Sequence, residues 1–457
     1  MSRAKYDPRL MENRTTYTRR RAIIATSSLA ASGALAACGA PAASSPDAAS
    51  KNAPPKRVLF VKTQATELKD NAWRDTFKLA EKAINVIPEL VVEPAAGFYE
   101  KRQAEFVAGS ANADVTINAL NQFLPMGLRG MVVDLNPFVK RDKVDTSQYY
   151  KADFDSWIWK GKLYALTLQA GGEAVMYNKS LFQQKGVKLP TKDWTYDDFL
   201  AACQKLNDPA NNFYAVQVGQ NTVQYMMGTF MRNFGGNVIT EPRDRAIYAD
   251  NANSLKGAEF NVDLHQKHRV AWTAELLKQI PVGKTPMRVK QAAMEINGLG
   301  SIIDMRTDVG AENIDVAPPP KGPGGIQQAR VAGNSWSILS LSKEHDASWK
   351  VLKWLHTKEG MISPQLIAVS WPPLVWAADA PEWQKDYKGT RIHDVTDVWR
   401  KAGHNQVVIP EGDPALMLMN APIARAMAGE ITTRDGLKDG QDKVNAVLAQ
   451  RPAEWKL

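Results

Sequence analysis

The chain has 457 residues, of which 44% are hydrophobic and 23% charged, so it carries enough apolar side chains for a sizeable core. This composition, with only 2 cysteines, excludes a disordered, collagen-like or disulfide-framework protein. The formal net charge is +9, but residues 1–37 supply +5 of it, from seven Lys and Arg against two acidic residues. The remaining +4 is spread over 420 residues, so we expect no nucleic-acid partner.

The first element along the chain is an export signal. Arg19 to Arg21 precede a weakly apolar stretch at 22–37, which is too short and too polar to span a membrane. The stretch ends in Leu35-Ala36-Ala37-Cys38-Gly39, which resembles the lipobox of bacterial lipoproteins. That resemblance implies cleavage before Cys38 and diacylglycerol on its thiol. The arginines also resemble a twin-arginine export motif, and the general secretory route is the alternative.

Residues 38–56 are predicted to be the lipidated cysteine and a flexible tether. The segment is rich in Pro, Ala and Ser and has too few apolar side chains to pack into a core. Lipidation of Cys38 leaves Cys203 without a disulfide partner. Apolar residues around Cys203 recur at helical spacing, which predicts a buried thiol on a helix.

Strands and helices alternate from residue 57 onward. A β-rich run at 57–62 precedes a helical stripe through Trp73, Phe77, Ala80 and Ile84. A strand at 90–92, a helix at 100–108 and a strand at 114–117 follow, and later segments are helical: 196–207, 254–268, 346–357 and 435–450. The β-α-β-α-β order predicts an α/β protein whose parallel sheet binds ligands at the carboxyl ends of its strands.

Catalytic motifs are missing from the sequence. It contains no zinc-protease, phosphate-loop or dinucleotide-binding motif and no paired Cys-x-x-Cys, so we expect no metal and no cofactor. The segment 333–337 lacks the final glycine of a nucleophile elbow. His265 and His268 are interpreted as a solvated helix face. A carboxylate pair for glycoside hydrolysis is a tertiary property, so an envelope glycan-processing enzyme stays open.

Three consecutive segments carry a more specific signal. Residues 159–166, 175–182 and 186–199 closely resemble the central signature of family 1 extracellular solute-binding proteins, the receptors of ABC importers. The likeness extends over about 57–450, with further matching segments at 111–115, 130–138, 234–238, 291–298, 316–320, 333–338 and 429–432. Thr195 or Asp193 is predicted to cap the helix that follows the signature.

The resemblance implies a two-lobed periplasmic-binding-protein fold, type II-like. Each lobe would be a mostly parallel sheet flanked by helices, and hinge crossovers would join the lobes. We expect lobe I at 57–165 plus 332–375, and lobe II at 166–331 plus 376–457.

The same resemblance implies a binding protein and not an enzyme. It would capture a carbohydrate or related polar solute between its lobes and deliver it to the permease subunits of an ABC importer. We expect a monomer in the cell envelope, held on the outer face of the cytoplasmic membrane by its lipid or periplasmic. The alternatives are the glycan-processing enzyme and a signalling or adhesion lipoprotein on the same fold.

Position within the family suggests the ligand-binding residues. Asn118 and Asn121 fall on the loop after the third strand, and Trp336 and Trp371 fall where relatives often face the cleft. Less specific candidates are Gln64 and Phe98, after the first two strands, and Asn297. Asn118 and Gly300 stand where relatives often place tryptophan, so two stacking platforms are missing. This disfavours a long maltodextrin and leaves another saccharide, a polyol or a sugar phosphate.

Overall fold

This computed structural model describes residues 54–218, 222–367, 371–405 and 407–456. The strands are β1 (Lys56–Thr63), β2 (Val86–Glu93), β3 (Val115–Ala119), β4 (Ile158–Trp159), β5 (Lys162–Leu163), β6 (Leu166–Gln169), β7 (Glu173–Asn178), β8 (Val216–Val218), β9 (Met294–Gly298), β10 (Ile314–Ala317), β11 (Ala329–Arg330), β12 (Asn334–Ile338) and β13 (Gly403–His404). Two larger β-sheets, of five and four strands, organise these residues, and β4 with β5 and β11 with β13 form two further two-stranded sheets.

Helices cover both sheets. They are α1 (Glu67–Ile84), α2 (Phe98–Val107), α3 (Leu120–Leu128), α4 (Asn136–Arg141), α5 (Lys151–Ser156), α6 (Lys179–Gln184), α7 (Tyr196–Leu206), α8 (Thr222–Tyr225), α9 (Ala252–Gln266), α10 (Ala274–Leu277), α11 (Ile302–Val309), α12 (His345–Leu355), α13 (Lys358–Met361), α14 (Pro364–Ile367), α15 (Val375–Ala378), α16 (Pro381–Asp386), α17 (Ile392–Ala402), α18 (Asp413–Leu416), α19 (Asn420–Met427) and α20 (Thr433–Leu448). A π-helical segment, Met226–Met231, continues α8.

The first sheet has the strand order β2-β1-β3-β12-β6. β1 runs parallel to β2 and β3 because helices α1 and α2 return the chain to the same edge. β12 is antiparallel to both β3 and β6. The predicted β-α-β-α-β order is confirmed, and the apolar stripe of α1 packs on this sheet through Phe77, whose ring centroid lies 4.7 Å from that of Phe60.

The second sheet has the strand order β10-β7-β9-β8. β8 and β9 are parallel, whereas β7 is antiparallel to both β9 and β10. This sheet is therefore mixed, which differs from the mostly parallel sheet expected for the second lobe. The reason is that a short connection leads from β6 of the first sheet directly into β7. β7 therefore runs in the opposite direction to β8, β9 and β10, each of which is preceded by helices.

Two closely packed connections link the first sheet to the rest of the chain, one to β7 of the second sheet and one to β11, which pairs with β13. Residues 170–172 lead from β6 to β7, and 331–333 lead from β11 to β12. Ala332 N donates to Gly171 O at 3.1 Å. Only glycine fits at two positions here, because a Cβ on Gly171 would lie 2.3 Å from Ala332 O and one on Gly333 would lie 1.6 Å from Gln169 O. The two connections thus form one narrow hinge.

The placement of β6 bears on the predicted lobe boundaries. β6 is the edge strand of the first sheet, so that sheet extends to Gln169, beyond the boundary expected at 165. α17 packs against β10 of the second sheet, whereas Trp383 of α16 packs on Trp371, a residue expected in lobe I. The exact boundaries stay a prediction.

Several local predictions can be read directly from the structure. Thr195 caps α7, since its side chain accepts a hydrogen bond from Asp198 N while the Asp198 carboxylate accepts one from Thr195 N. Cys203 is buried on α7 as predicted, and burial raises the pKa of its thiol. No helix within the described ranges is long and apolar enough to cross a bilayer. Cys38 and the export signal lie outside the described residues.

Candidate functional site

One cleft is bordered by strand ends from both sheets. In the first sheet, Asn334 at the start of β12 lies opposite Ala119 at the end of β3 and Gln169 at the end of β6. In the second sheet, Glu173 at the start of β7 lies opposite Gly298 at the end of β9. The hinge connections run between these edges, so both edges face the same interlobe cleft.

Two of the predicted polar residues have different environments. Gln64 lies exposed just after β1, and its backbone N donates to Glu93 O at 2.7 Å. Asn118 is fully buried inside β3, because the strand continues to Ala119 instead of ending at 117. Its Nδ2 donates to Ser337 Oγ at 2.6 Å. Asn121 lies in the first turn of α3, and its side chain is outside the described residues.

The predicted aromatic residues lie in cores. Trp336 has no exposed surface, with its ring centroid 5.2 Å from that of Phe60 and 5.9 Å from that of Trp73. Phe98 is only 1% exposed. Trp371 is 3% exposed and packs edge-on against two aromatic rings, those of Trp383 and Tyr387. In this conformation these rings offer no face to a solute. They contribute to the packing of the core instead.

Asn297 belongs to a hydrogen-bonded chain at the end of β9. Tyr225 Oη donates to its Oδ1 at 2.6 Å, and its Nδ2 donates to Glu295 Oε1 at 2.7 Å. Gly298 N donates to Tyr225 Oη at 3.0 Å. Both ends of the Asn297 amide are thus occupied within the protein. The residue fixes Tyr225 at the cleft edge, and these hydrogen bonds leave one N–H of its Nδ2 unused.

A buried ion pair connects this edge to the hinge. Arg330 Nε donates to Glu173 Oε1 at 2.8 Å, and neither side chain is more than 8% exposed. Burial raises the pKa of Glu173, while the charge of Arg330 opposes that shift. The Arg330 guanidinium also lies 5.2 Å from the centroid of the Tyr225 ring. The pair therefore ties β7, β11 and α8 together.

A pocket opens beside this ion pair, between α8 with its π-helical continuation and the segment that follows β13. In this conformation it is narrow and opens to solvent. Its polar lining is Gln224, Arg232, Arg330, His404 and Asn405, and its apolar lining is Val223, Met227, Gly228, Val238, Val407, Leu416 and Met417. These described lining residues include no Asp or Glu.

The ring of His404 is fixed at the pocket wall. Its two nitrogens each lie 3.0 Å from a carbonyl oxygen, that of Asn405 for Nδ1 and that of Gly228 for Nε2. Burial lowers the pKa of His404 to about 3, and the positive charge of Arg232 contributes to the shift. The positive charge of the pocket therefore comes from its arginines.

Sequence reasoning missed Arg232, Arg330, Glu173 and Tyr225. One signal was available, because Glu173 opens an otherwise apolar strand and a buried carboxylate needs a cationic partner. Its partner lies 157 residues further along the chain, so spacing could not identify Arg330.

Comparison with known proteins gives the family. Residues 61–362 match the bacterial extracellular solute-binding protein family, and the chain belongs to it. The resemblance read from the sequence is thus confirmed, as is the two-lobed fold.

Two curated relatives are distant and only partly covered. The chain is 24% identical over 301 residues to an erythritol/L-threitol-binding protein of Mycolicibacterium smegmatis, covering 61% of this chain and 62% of that one. It is 25% identical over 225 residues to a maltotriose-binding protein of Pyrococcus abyssi, covering 48% and 45%. The chain therefore spans between about half and three fifths of the length of these relatives.

Solved structures match over more of the chain. An ABC substrate-binding protein of Listeria monocytogenes in complex with cycloalternan superposes with a TM-score of 0.76 at 18% identity, covering 87% of this chain and 100% of that chain. A solute-binding protein of Thermotoga lettingae bound to α-D-tagatose gives 0.73 at 20% identity, covering 86% and 100%. At these identities the likeness establishes the fold.

Proposed function

We propose that this protein is the substrate-binding receptor of an ABC importer and captures a polyol or saccharide between its lobes. The observation that carries the proposal is the two-lobed solute-binding fold, whose second lobe has a polar pocket beside the buried Glu173–Arg330 pair. The relatives and neighbours are named for erythritol/L-threitol, tagatose, maltotriose and cycloalternan, so they support a polyol or saccharide without fixing its size.

The same pocket supports binding over turnover. Glycoside hydrolysis needs two carboxyl groups on either side of the scissile bond. The described residues that line the pocket include none, and the carboxylate of Glu173 is engaged by Arg330. We infer that the protein releases its solute unchanged to the permease.

A thermal-shift panel tests the proposal. The purified full-length protein is heated with erythritol, ribitol, tagatose or maltotriose, and a bound solute should raise its melting temperature in a concentration-dependent way. Gln224→Leu, inside the pocket, should abolish the shift. Gln204→Leu, on the exposed face of α7, is the matched control and should keep it. A panel with no shift for the wild-type protein would contradict the proposal.

We also propose that Cys38 carries a lipid anchor that holds the receptor at the membrane. Cys38→Ser should move the protein from the membrane fraction to the soluble fraction. Cys203→Ala is the control, because Cys203 is buried in α7 and should not affect the distribution. Retention of the Cys38→Ser protein on membranes would contradict the anchor.

A further inference from the structure

One arginine of the pocket, Arg232, differs from the others in its contacts. Among the described residues, the Arg232 side chain forms neither a hydrogen bond nor an ion pair. The neighbouring arginines differ from it. Arg330 is paired with Glu173 at 2.8 Å. Arg243 donates to Val408 O at 3.3 Å, and its guanidinium lies 5.4 Å from the centroid of the Trp159 ring.

This charge is partly shielded from water. Arg232 is half-buried directly after the π-helical segment, and burial lowers the pKa of its guanidinium. A desolvated cation is costly unless an anion compensates it. Glu173 is already engaged by Arg330, and Glu241, which also acts on Arg232 electrostatically, is exposed and forms no ion pair with it within 4.0 Å.

The surroundings of Arg232 resemble a binding site for a small polar anion. The amides of Gln224 and Asn405 line the same pocket, and both can donate to oxygen atoms. A guanidinium offers two parallel N–H groups that match a carboxylate or a phosphate. Val238 and Met227 supply apolar surface for a short carbon skeleton.

We propose that Arg232 binds an anionic group on the solute, so that the ligand is a carboxylate- or phosphate-bearing polyol or monosaccharide. This inference rests on the proposed receptor function and narrows its ligand class. The anion would complete the charge balance of the pocket, and the hydroxyl groups would contact the amides. Solutes without the anionic group would leave Arg232 unpaired and bind more weakly.

The test uses matched neutral and anionic probes. Titration calorimetry of the full-length protein compares ribitol with ribitol 5-phosphate, erythritol with erythronate, and glucose with gluconate and glucose 6-phosphate. We expect at least one anionic probe to bind ten-fold or more tighter than its neutral counterpart. The phosphate and carboxylate arms show which group the pocket prefers. The preference should weaken as the salt concentration rises.

Substitutions test whether the preference for anionic probes depends on the Arg232 side chain. Arg232→Gln should remove the preference for the anionic probe, while Arg232→Lys keeps the charge without the planar fork and should retain part of it. Arg245→Gln removes an equal charge from the same lobe, at a residue paired with Asp250 on the surface, and should change nothing. Glu241→Gln should preserve or strengthen anion binding. Circular dichroism confirms that each variant is folded.

The outcomes separate the two proposals. If neutral probes bind and no anionic probe binds tighter, the anion site is wrong and the receptor function stands. If Arg232→Gln and Arg232→Lys both keep the full preference, the assignment to Arg232 is wrong. If neither neutral nor anionic probes bind, both proposals fail.

Discussion

Lys69 Nζ lies 3.1 Å from Oδ2 of Asp304, and this ion pair joins α1 of the first lobe to α11 of the second. Both helices begin just after a strand that ends at the cleft, β1 and β9. The two side chains are each 23% exposed, so the pair is partly shielded from solvent. Because α1 and α11 pack on different sheets, we expect the pair to form only while the two sheets are close together and to stabilise a closed conformation.

Breaking this pair should favour the open protein. We expect Lys69→Met or Asp304→Asn to weaken solute binding about two- to five-fold, because a partly exposed ion pair contributes roughly 0.5–1 kcal/mol. The change should appear as faster dissociation in stopped-flow measurements. Lys78→Met is the control, since Lys78 pairs with Asp75 on the exposed face of the same helix. Equal binding by all three variants would remove the proposed role of the pair.

The second prediction concerns the hinge. Gly333→Ala should destabilise the protein by about 1–3 kcal/mol or more, because its Cβ would lie 1.6 Å from Gln169 O and the connections would have to separate. Urea denaturation measures the loss. Gly300→Ala is the matched control, since its Cβ meets no atom within 4 Å. Similar stabilities for the two variants would show that the hinge is more open than described.

The third prediction tests whether Trp371 is a core residue or a ligand-binding residue. Trp371→Ala should cost about 3–5 kcal/mol of unfolding free energy, since it leaves a cavity beside Trp383 and Tyr387. Trp455→Ala, at a half-buried ring near the C-terminus, should cost less. Chemical denaturation gives both values. A stable Trp371→Ala protein that has lost solute affinity would instead place this ring in the binding site.

The fold was largely predictable from sequence because its determinants are local. The apolar stripe of α1 and the capping box at Thr195 lie within a few residues of the elements they define. The site was less predictable. The position of Trp336 in the family pattern suggests that it lies near the cleft, but the pattern does not show on which face of β12 its side chain lies. In the structure the side chain lies on the face that packs against Phe60. The ion pair of Arg330 with Glu173 and the pocket around Arg232 form only when segments far apart in the sequence come together in the fold.

The fourth prediction concerns acid stability. The interpretation of His265 as part of a solvated helix face is wrong, because its Nε2 is buried within α9's packing. Burial lowers the pKa of His265 to about 4, below the usual value of 6.5. The unfolded chain therefore binds a proton that the folded protein does not, between pH 6.5 and about 4. His265 should cost the protein up to about 3 kcal/mol of stability as the pH falls through that range.

His265→Gln should make the melting temperature fall less steeply as the pH decreases, and the buried His404 and His356, whose pKa values are also lowered, should account for the remaining dependence. Scanning calorimetry at pH 7.5 and pH 5.0 measures the difference for the wild type and the variant. A wild-type difference that the variant reproduces in full would show that His265 is protonated without cost in the folded protein.

Uptake by intact cells tests the central claim most directly. Radiolabelled erythritol, ribitol, tagatose and their anionic counterparts are supplied to a strain from which this chain has been deleted. We expect uptake of the solute that binds the purified protein to be lost on deletion and restored by the wild-type chain but not by Gln224→Leu. Unchanged uptake of that solute in the deletion strain would contradict a role as an importer receptor.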